Sequence, residues 1–277
     1  MELYDVTNFK CSKLITEAYS TSFTLGIKTL DKRFRLPVYA IYGFVRFADE
    51  IVDTFHQYDK RELLHRFRAD VLLAIQEGIS LNPVLHSFQF VVNKYKIDES
   101  LILAFLKSME MDLSTHEYKP EQYKEYVFGS AEVVGLMCLR VFCEGNDAVY
   151  NELQSYAQKL GSAFQKVNFL RDIKSDFKDR GRVYFPGLDL ENFSNNTKRL
   201  IEEDIQKDFD EAYKGIINLP EGSRLGVYLA YIYYLKLFKK IKSCPVSEII
   251  KGRVRIPDNL KFALLVQTYF KHQFNFL

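Results

Sequence analysis

The sequence predicts an all-α protein, organised as one domain over residues 1–277. Three observations point there. Apolar residues recur at three- and four-residue intervals through most of the chain, as the buried face of a helix requires. No stretch shows the bounded two-residue alternation of a half-buried strand. No internal repeat, low-complexity tract or long linker divides the sequence. Its 47% apolar and 27% charged residues are those of an ordinary globular protein, and 277 residues suffice for one large core.

The elements follow in order. Thr7 or Asn8 caps a first helix that ends near Tyr19. The hydroxyl-rich, β-branched run Ser20-Thr-Ser-Phe-Thr24 interrupts it. Pro37 suits the first turn of a second helix reaching about Phe55, because its fixed φ and missing N–H cost nothing there. Further helices are expected over about 59–77, 83–95 (Asn82 cap, Pro83 in the first turn), 98–113 and 120–143. A long helix runs from an Asp147 cap to about 177, and Lys178-Asp-Arg-Gly-Arg-Val-Tyr-Phe-Pro-Gly187 reads as a flexible loop. Helices over about 197–218, 222–242 and 258–275 complete the chain.

Composition excludes several functions. With 38 basic and 36 acidic residues the net charge is +2, so there is no basic excess for nucleic acid. Cys11, Cys138, Cys143 and Cys244 show no metal spacing, and His56, His65, His86, His116 and His272 form no pair at ligand spacing. A reduced, cytoplasmic setting is the expectation. The opening Met-Glu-Leu-Tyr-Asp lacks the features of a signal peptide. The run Val133 to Cys143 is interrupted by Arg140 and falls short of the roughly 18 apolar residues of a membrane span. The 23 Phe and 18 Tyr, with no Trp, serve either a core or the lining of a long apolar pocket.

Two Asp-x-x-x-Asp pairs carry the chemistry: Asp49/Asp53 and Asp172/Asp176. Residues four apart share a helix face, with about 6 Å between them along the axis. Spacing alone proves little, because 17 Asp in 277 residues give roughly one such pair by chance. Asp204/Asp208, in the charged run Ile201 to Asp210, repeats the spacing and is expected to be a solvated face. The company of the other two pairs differs. Tyr42 and Arg46 share the Asp49 face; Gln165, Asn168 and Arg171 stand on or beside the Asp172 face. Each stripe is either a solvated face or the wall of a polar cavity. Facing each other, two such stripes would bind Mg²⁺ with a polyphosphate. Asn168 would add an amide oxygen, and Arg46 and Arg171 suit bidentate contacts to phosphate. An oxygen-only set fits Mg²⁺, or Mn²⁺, better than Zn²⁺.

These residues resemble the squalene/phytoene synthase family, the head-to-head prenyl synthases. The resemblance spans nearly the whole chain. It rests on Ser20-Thr-Ser-Phe23, Tyr39-Ala-Ile-Tyr-Gly-Phe-Val-Arg46, Asp49-Glu-Ile-Val-Asp53, Gly129-Ser-Ala-Glu-Val-Val-Gly135, Gln165 through Asp176, and Gly181-Arg-Val-Tyr-Phe-Pro186. It implies the isoprenoid synthase fold, an all-α bundle around a central apolar cavity capped by two Asp-rich motifs. It implies Mg²⁺-dependent condensation of two prenyl diphosphates through a cyclopropyl diphosphate. The metal ligands would be Asp49, Asp53, Asn168, Asp172 and Asp176. Substrate would meet Ser20, Ser22, Phe23, Tyr42, Arg46, Gln165, Arg171 and Tyr233, with Tyr42, Arg46, Arg171 and Tyr184 closest to the chemistry. The serines read equally as a cap or turn, the tyrosines as core, and Gln165 as satisfying a buried partner. The 178–187 loop would close over diphosphate or be a plain connection.

The sequence also departs from the family. Phe128 stands where many members carry Tyr, and Glu132-Val133 replaces a Gly-Thr pair. Such a carboxylate would pair with a cation or reshape the second substrate site. Asp49-Glu-Ile-Val-Asp53 resembles the phytoene branch most, which implies geranylgeranyl diphosphate as substrate and a role in carotenoid synthesis. The alternative is a thirty-carbon synthase making squalene, with NADPH, or dehydrosqualene from farnesyl diphosphate; a non-catalytic relative is the third reading. Such lipophilic substrates suggest peripheral membrane contact through Lys251-Gly-Arg-Val-Arg-Ile-Pro257 and the aromatic C-terminus, which otherwise read as ordinary surface.

Overall fold

The structure is a computed structural model that describes residues 2–189 and 192–255. The helix expected over about 258–275, and the aromatic C-terminus, lie outside the described residues. Within them the chain is all-α, and the lone β-like feature is an isolated bridge between Glu117 and Val183.

Capping chemistry sets most helix starts. Helix α1 (Leu3–Tyr19) begins before the expected Thr7 or Asn8: Glu2 and Asp5 cap each other's backbone, and Asn8 is buried inside the helix. Ser20 breaks α1, yet the chain re-enters a helix at once, α2 (Thr21–Thr29), because the Ser20 hydroxyl accepts from Phe23 N. Helix α3 (Lys32–Asp53) starts at Asp31, whose carboxylate takes the Arg33 N–H, so Pro37 lies inside the helix and not in its first turn. Asp59, Asn82 and Asp98 cap α4 (Lys60–Glu77), α5 (Pro83–Tyr95) and α6 (Glu99–Met111).

The expected 120–143 helix is interrupted. Helix α7 (Pro120–Val127) passes through a π-helical turn (Phe128–Glu132) into α8 (Val133–Phe142). Two glycines explain the tight fit of that turn. A Cβ on Gly129 would fall 2.4 Å from the Ala104 carbonyl on α6, and one on Gly161 2.6 Å from the Ala131 carbonyl. Asn146, not Asp147, caps α9 (Asp147–Arg180), which runs past the expected end to Gly181 at φ 66°. Helices α10 (Asn195–Ile216) and α11 (Arg224–Ser243) follow, then a short α12 (Val246–Lys251) that periodicity did not reveal. No helix among the described residues is long and apolar enough to cross a membrane.

Two apolar clusters hold the helices. The first joins α1 through α6 with α8; Phe44 at its centre is fully buried and stacks on Phe88 at 4.0 Å. The second surrounds α9, α10 and α11, with Leu170, Phe209 and Phe238 buried between them. Helices α3 and α9 therefore have cores behind them, and each turns a polar stripe to the space between.

The Asp204/Asp208 expectation holds for Asp204, which is exposed, and is corrected for Asp208. Asp208 is buried and accepts from Lys166 at 2.7 Å, Lys159 at 3.0 Å and Ser162 at 2.8 Å, all on α9. Asp204 also takes the Lys166 ammonium, at 2.5 Å. This pair is half of a charged seam between α9 and α10. Burial disfavours the Asp208 anion, but these donors hold its carboxyl below the usual value.

Candidate active site

Arg180 shows directly that the two stripes face each other. Its guanidinium reaches Asp53 on α3 at 3.2 Å and Asp176 on α9 at 2.7 Å. Arginines meet the other acids too. Arg46 pairs with Asp49 at 3.8 Å and with Glu50. Arg171 holds Asp172 through two bonds, at 3.0 and 2.6 Å, and Arg253 reaches the same carboxylate at 2.8 Å. Arg182 donates to Asp53 at 3.1 Å. No group of three or more His, Cys, Asp or Glu among the described residues is clustered tightly enough to cage a metal. Asp53 and Asp176 confront each other across Arg180, while Asp49 and Asp172 are held by arginines of their own.

Asn168 sits in a chain of amides and hydroxyls. Its Oδ1 accepts from the Tyr234 hydroxyl at 3.3 Å, and its Nδ2 donates to Gln165 Oε1 at 3.5 Å. Gln165 in turn donates to Ser130 at 3.2 Å, so the buried-partner role read for it is present. Tyr234 stacks on Phe164 at 3.9 Å, which fixes the ring that holds Asn168. Reasoning from the sequence chose Tyr233 and missed Tyr234; both line the neighbouring cavity.

Beside these groups that cavity opens to about 1030 Å³, at the upper end for small-molecule sites. Ser20, Ser22, Phe23, Tyr42, Gln165, Arg171 and Tyr233 all line it. Tyr42 leans on Phe23 with ring centroids 5.0 Å apart. Its walls continue in Leu139, Phe142, Leu153 and Leu219, which are apolar throughout. Arg253 and Arg255 border it as well, on a segment tied down by Lys240 to the Arg255 carbonyl at 2.7 Å. The Arg46 guanidinium lies over Tyr19, and its buried Nε has no partner.

Some expectations change. Tyr184 is not in the cavity lining; its hydroxyl goes to Asp112 at 3.2 Å, within a cluster of Tyr118, Tyr126 and Phe169. Glu132 also stands outside the lining, and its charged neighbours are Lys159, Asp208 and Lys166 of the α9–α10 seam. Burial pushes its carboxyl up to about 7. Phe128 packs on the first apolar cluster. The segment read as a flexible loop is anchored: Val183 N donates to the His116 carbonyl at 2.8 Å, and Arg180 and Arg182 are paired. Asp112 escaped the sequence reading because it belongs to no spaced motif, and Arg253 was read only as part of the 251–257 surface segment.

Burial shifts two of the site acids upward. It pushes the Asp49 carboxyl up to about 7 against the pull of Arg46. Burial likewise carries Asp176 to about 6, although Arg180 opposes it. Both acids hold protons that the unfolded chain has already released. Their contribution to stability is therefore best at low pH and declines as pH rises from about 4 to about 7. A divalent cation needs the ionised forms, so its binding displaces protons. Mn²⁺ titration is expected to show affinity rising by about fiftyfold from about pH 5 to 6, where both acids must ionise, and by about tenfold from about pH 6 to 7. A flat profile would contradict this assignment of charge.

Comparison with known proteins identifies the family. The squalene/phytoene synthase family matches residues 16–258. Phytoene synthase 1, chloroplastic, from Solanum lycopersicum is 27% identical over 98% of this chain and 68% of its own length. The 4,4'-diapophytoene synthase of Staphylococcus haemolyticus (strain JCSC1435) is 23% identical, over 87% of this chain and 89% of its own. A dehydrosqualene synthase crystal structure superposes with a TM-score of 0.81 at 20% identity, covering 97% of this chain and 98% of that one. The squalene synthase HpnC from Alicyclobacillus acidocaldarius gives 0.76 at 20% identity, over 87% and 95%. With the isoprenoid synthase fold and a match over most of its length, the chain belongs to the squalene/phytoene synthase family.

Proposed function

We propose that the protein condenses two geranylgeranyl diphosphates head to head to phytoene, through a cyclopropyl diphosphate, with Mg²⁺. The observation that carries this reading is Arg180, spanning Asp53 and Asp176 beside an apolar cavity of about 1030 Å³. Acids and arginines at the rim suit diphosphate; apolar walls suit hydrocarbon. The donor set of Asp49, Asp53, Asn168, Asp172 and Asp176 is oxygen-only and fits a hard cation, which keeps waters and takes only one or two carboxylates with substrate phosphate. When bound, the metal supplies charge neutralisation for the departing diphosphate.

The chain's own residues do the rest. Arg46, with its unpartnered Nε, and Arg171 hold the diphosphates, joined by Ser20 and Ser22. Phe23, Tyr42 and Tyr233 present aromatic surface to the developing cation, worth up to about 2 kcal/mol when desolvated. The apolar walls exclude water that would quench it. Tyr184 acts at one remove, through Asp112 and Arg182.

A thirty-carbon synthase is the second reading, favoured by the similarity to a protein named 4,4'-diapophytoene synthase. Incubation with geranylgeranyl or farnesyl diphosphate and Mg²⁺, with and without NADPH, separates the two by product mass. A forty-carbon product is expected; a thirty-carbon product alone refutes the phytoene assignment. No diphosphate release from either substrate would refute catalysis. Peripheral membrane contact through 251–257 belongs to the same reading, although Arg253 and Arg255 border the cavity. Co-flotation with anionic liposomes at low salt is expected, and its absence counts against that contact.

A further inference from the structure

Asp112 belongs to neither Asp-x-x-x-Asp pair, yet it is the most enclosed acid near the site. Its side chain is 5% exposed, against 24% for Asp53 and 17% for Asp172. It follows the last residue of α6, where the chain turns toward α7. Three phenols converge on it. Oδ1 accepts from Tyr118 at 3.1 Å and from Tyr184 at 3.2 Å; Oδ2 accepts from Tyr126 at 2.8 Å. The rings stack on one another and on Phe169, the neighbour of Asn168. Three of the roughly four acceptor sites of its carboxylate are taken by these phenols.

Arg182 links this group to the first acid stripe. It is 7% exposed, and its Nη1 donates to Asp53 at 3.1 Å while standing 3.6 Å from Asp112 Oδ1. One guanidinium is thus shared by two carboxylates. The Tyr184 hydroxyl accepts from the same nitrogen at 3.3 Å and donates its own hydrogen bond to Asp112. Two guanidiniums meet Asp53, and each is shared with a second carboxylate, Arg180 with Asp176 and Arg182 with Asp112. With Asp53 as its sole partner, buried Arg182 would add its full charge to that acid. Sharing with Asp112 keeps Asp53 oriented while leaving part of its charge to attract a cation.

We infer that Asp112 is a positioning residue: its buried charge balances Arg182, so that Asp53 is aimed by the guanidinium without being neutralised by it. This rests on the proposed role of Asp53 as a metal ligand. A plain packing role for the aromatic cluster predicts something different, because it would not depend on the sign of the charges.

Titration with Mn²⁺ alone, read by loss of the free-ion EPR signal, distinguishes them. Asp112→Asn keeps the shape and is expected to weaken Mn²⁺ binding about tenfold, the size of coupling seen between charges in contact. Adding Arg182→Gln removes the unbalanced cation and is expected to restore affinity to within about threefold of the wild type. Arg182→Gln alone should tighten binding severalfold, which keeps the test decisive if Asp112→Asn does not fold. Unchanged affinity in Asp112→Asn, a loss that Arg182→Gln does not rescue, or weaker binding in Arg182→Gln alone would each overturn the inference. So would a wild type that takes up no Mn²⁺. The product assay reads the prenyl synthase function separately, so turnover with any of these results leaves that reading standing.

Discussion

Asp172→Asn is expected to lower turnover about a thousandfold or more while leaving the helical circular-dichroism signal intact. Asp172 lies in the middle of the polar stripe of α9, bonded by Arg171 and Arg253. The amide keeps the volume but loses the charge, and its NH₂ faces guanidinium donors. If Asp172 holds metal against a departing diphosphate, several kcal/mol of transition-state stabilisation go with it, and each 1.36 kcal/mol is about tenfold in rate. The helix should survive, because apolar contacts by Phe169, Leu170 and Ile173 secure this part of α9. Diphosphate release and circular dichroism on the same sample check both halves. Near-normal turnover would remove Asp172 from the metal set.

Asp208→Ala is expected to destabilise the fold by about 3 kcal/mol, with the site residues untouched. The cost arises from Lys166, whose side chain is 10% exposed and would keep only Asp204 as partner. Breaking a buried pair from one side costs about 3–5 kcal/mol, and Asp204 keeps this case at the lower end. Replacing Lys166 and Asp208 together by apolar residues should recover most of the loss. Urea denaturation measures it; a change below about 0.5 kcal/mol would be that of an ordinary surface residue. The sign with pH follows from the lowered Asp208 carboxyl. Its contribution is present above the ordinary carboxylate range and fades as pH falls through the depressed folded value.

These two aspartates also mark the limit of sequence reading. The helices were legible because apolar spacing and caps are local: Asn82 and Pro83 start α5 where expected. Asp49, Asp53, Asp172 and Asp176 were legible through their neighbours. Asp208 was misread because its partners lie on another helix. The spacing Lys159, Ser162, Lys166 held a signal, since residues three and four apart make one stripe, but only beside α10 does it become a counterpart. Asp112 had no local signal at all; its phenols come from positions 118, 126 and 184. Tyr184 was singled out, but not its direction, which depends on how the 181–185 segment folds onto His116.

The charged seam has a consequence for α9 itself. Lys159, Ser162 and Lys166 stand roughly a third of a turn around the helix from Gln165, Asn168 and Asp172, at about 100° per residue. Ionic contacts on one side thus clock the whole rod, setting the rotational phase at which its acids meet α3. One residue inserted between Lys166 and Asn168 would keep every side chain but swing the downstream acids about 100° out of phase. For this helix, gaps are therefore less tolerable than substitutions: its chemistry depends on angle as much as on identity.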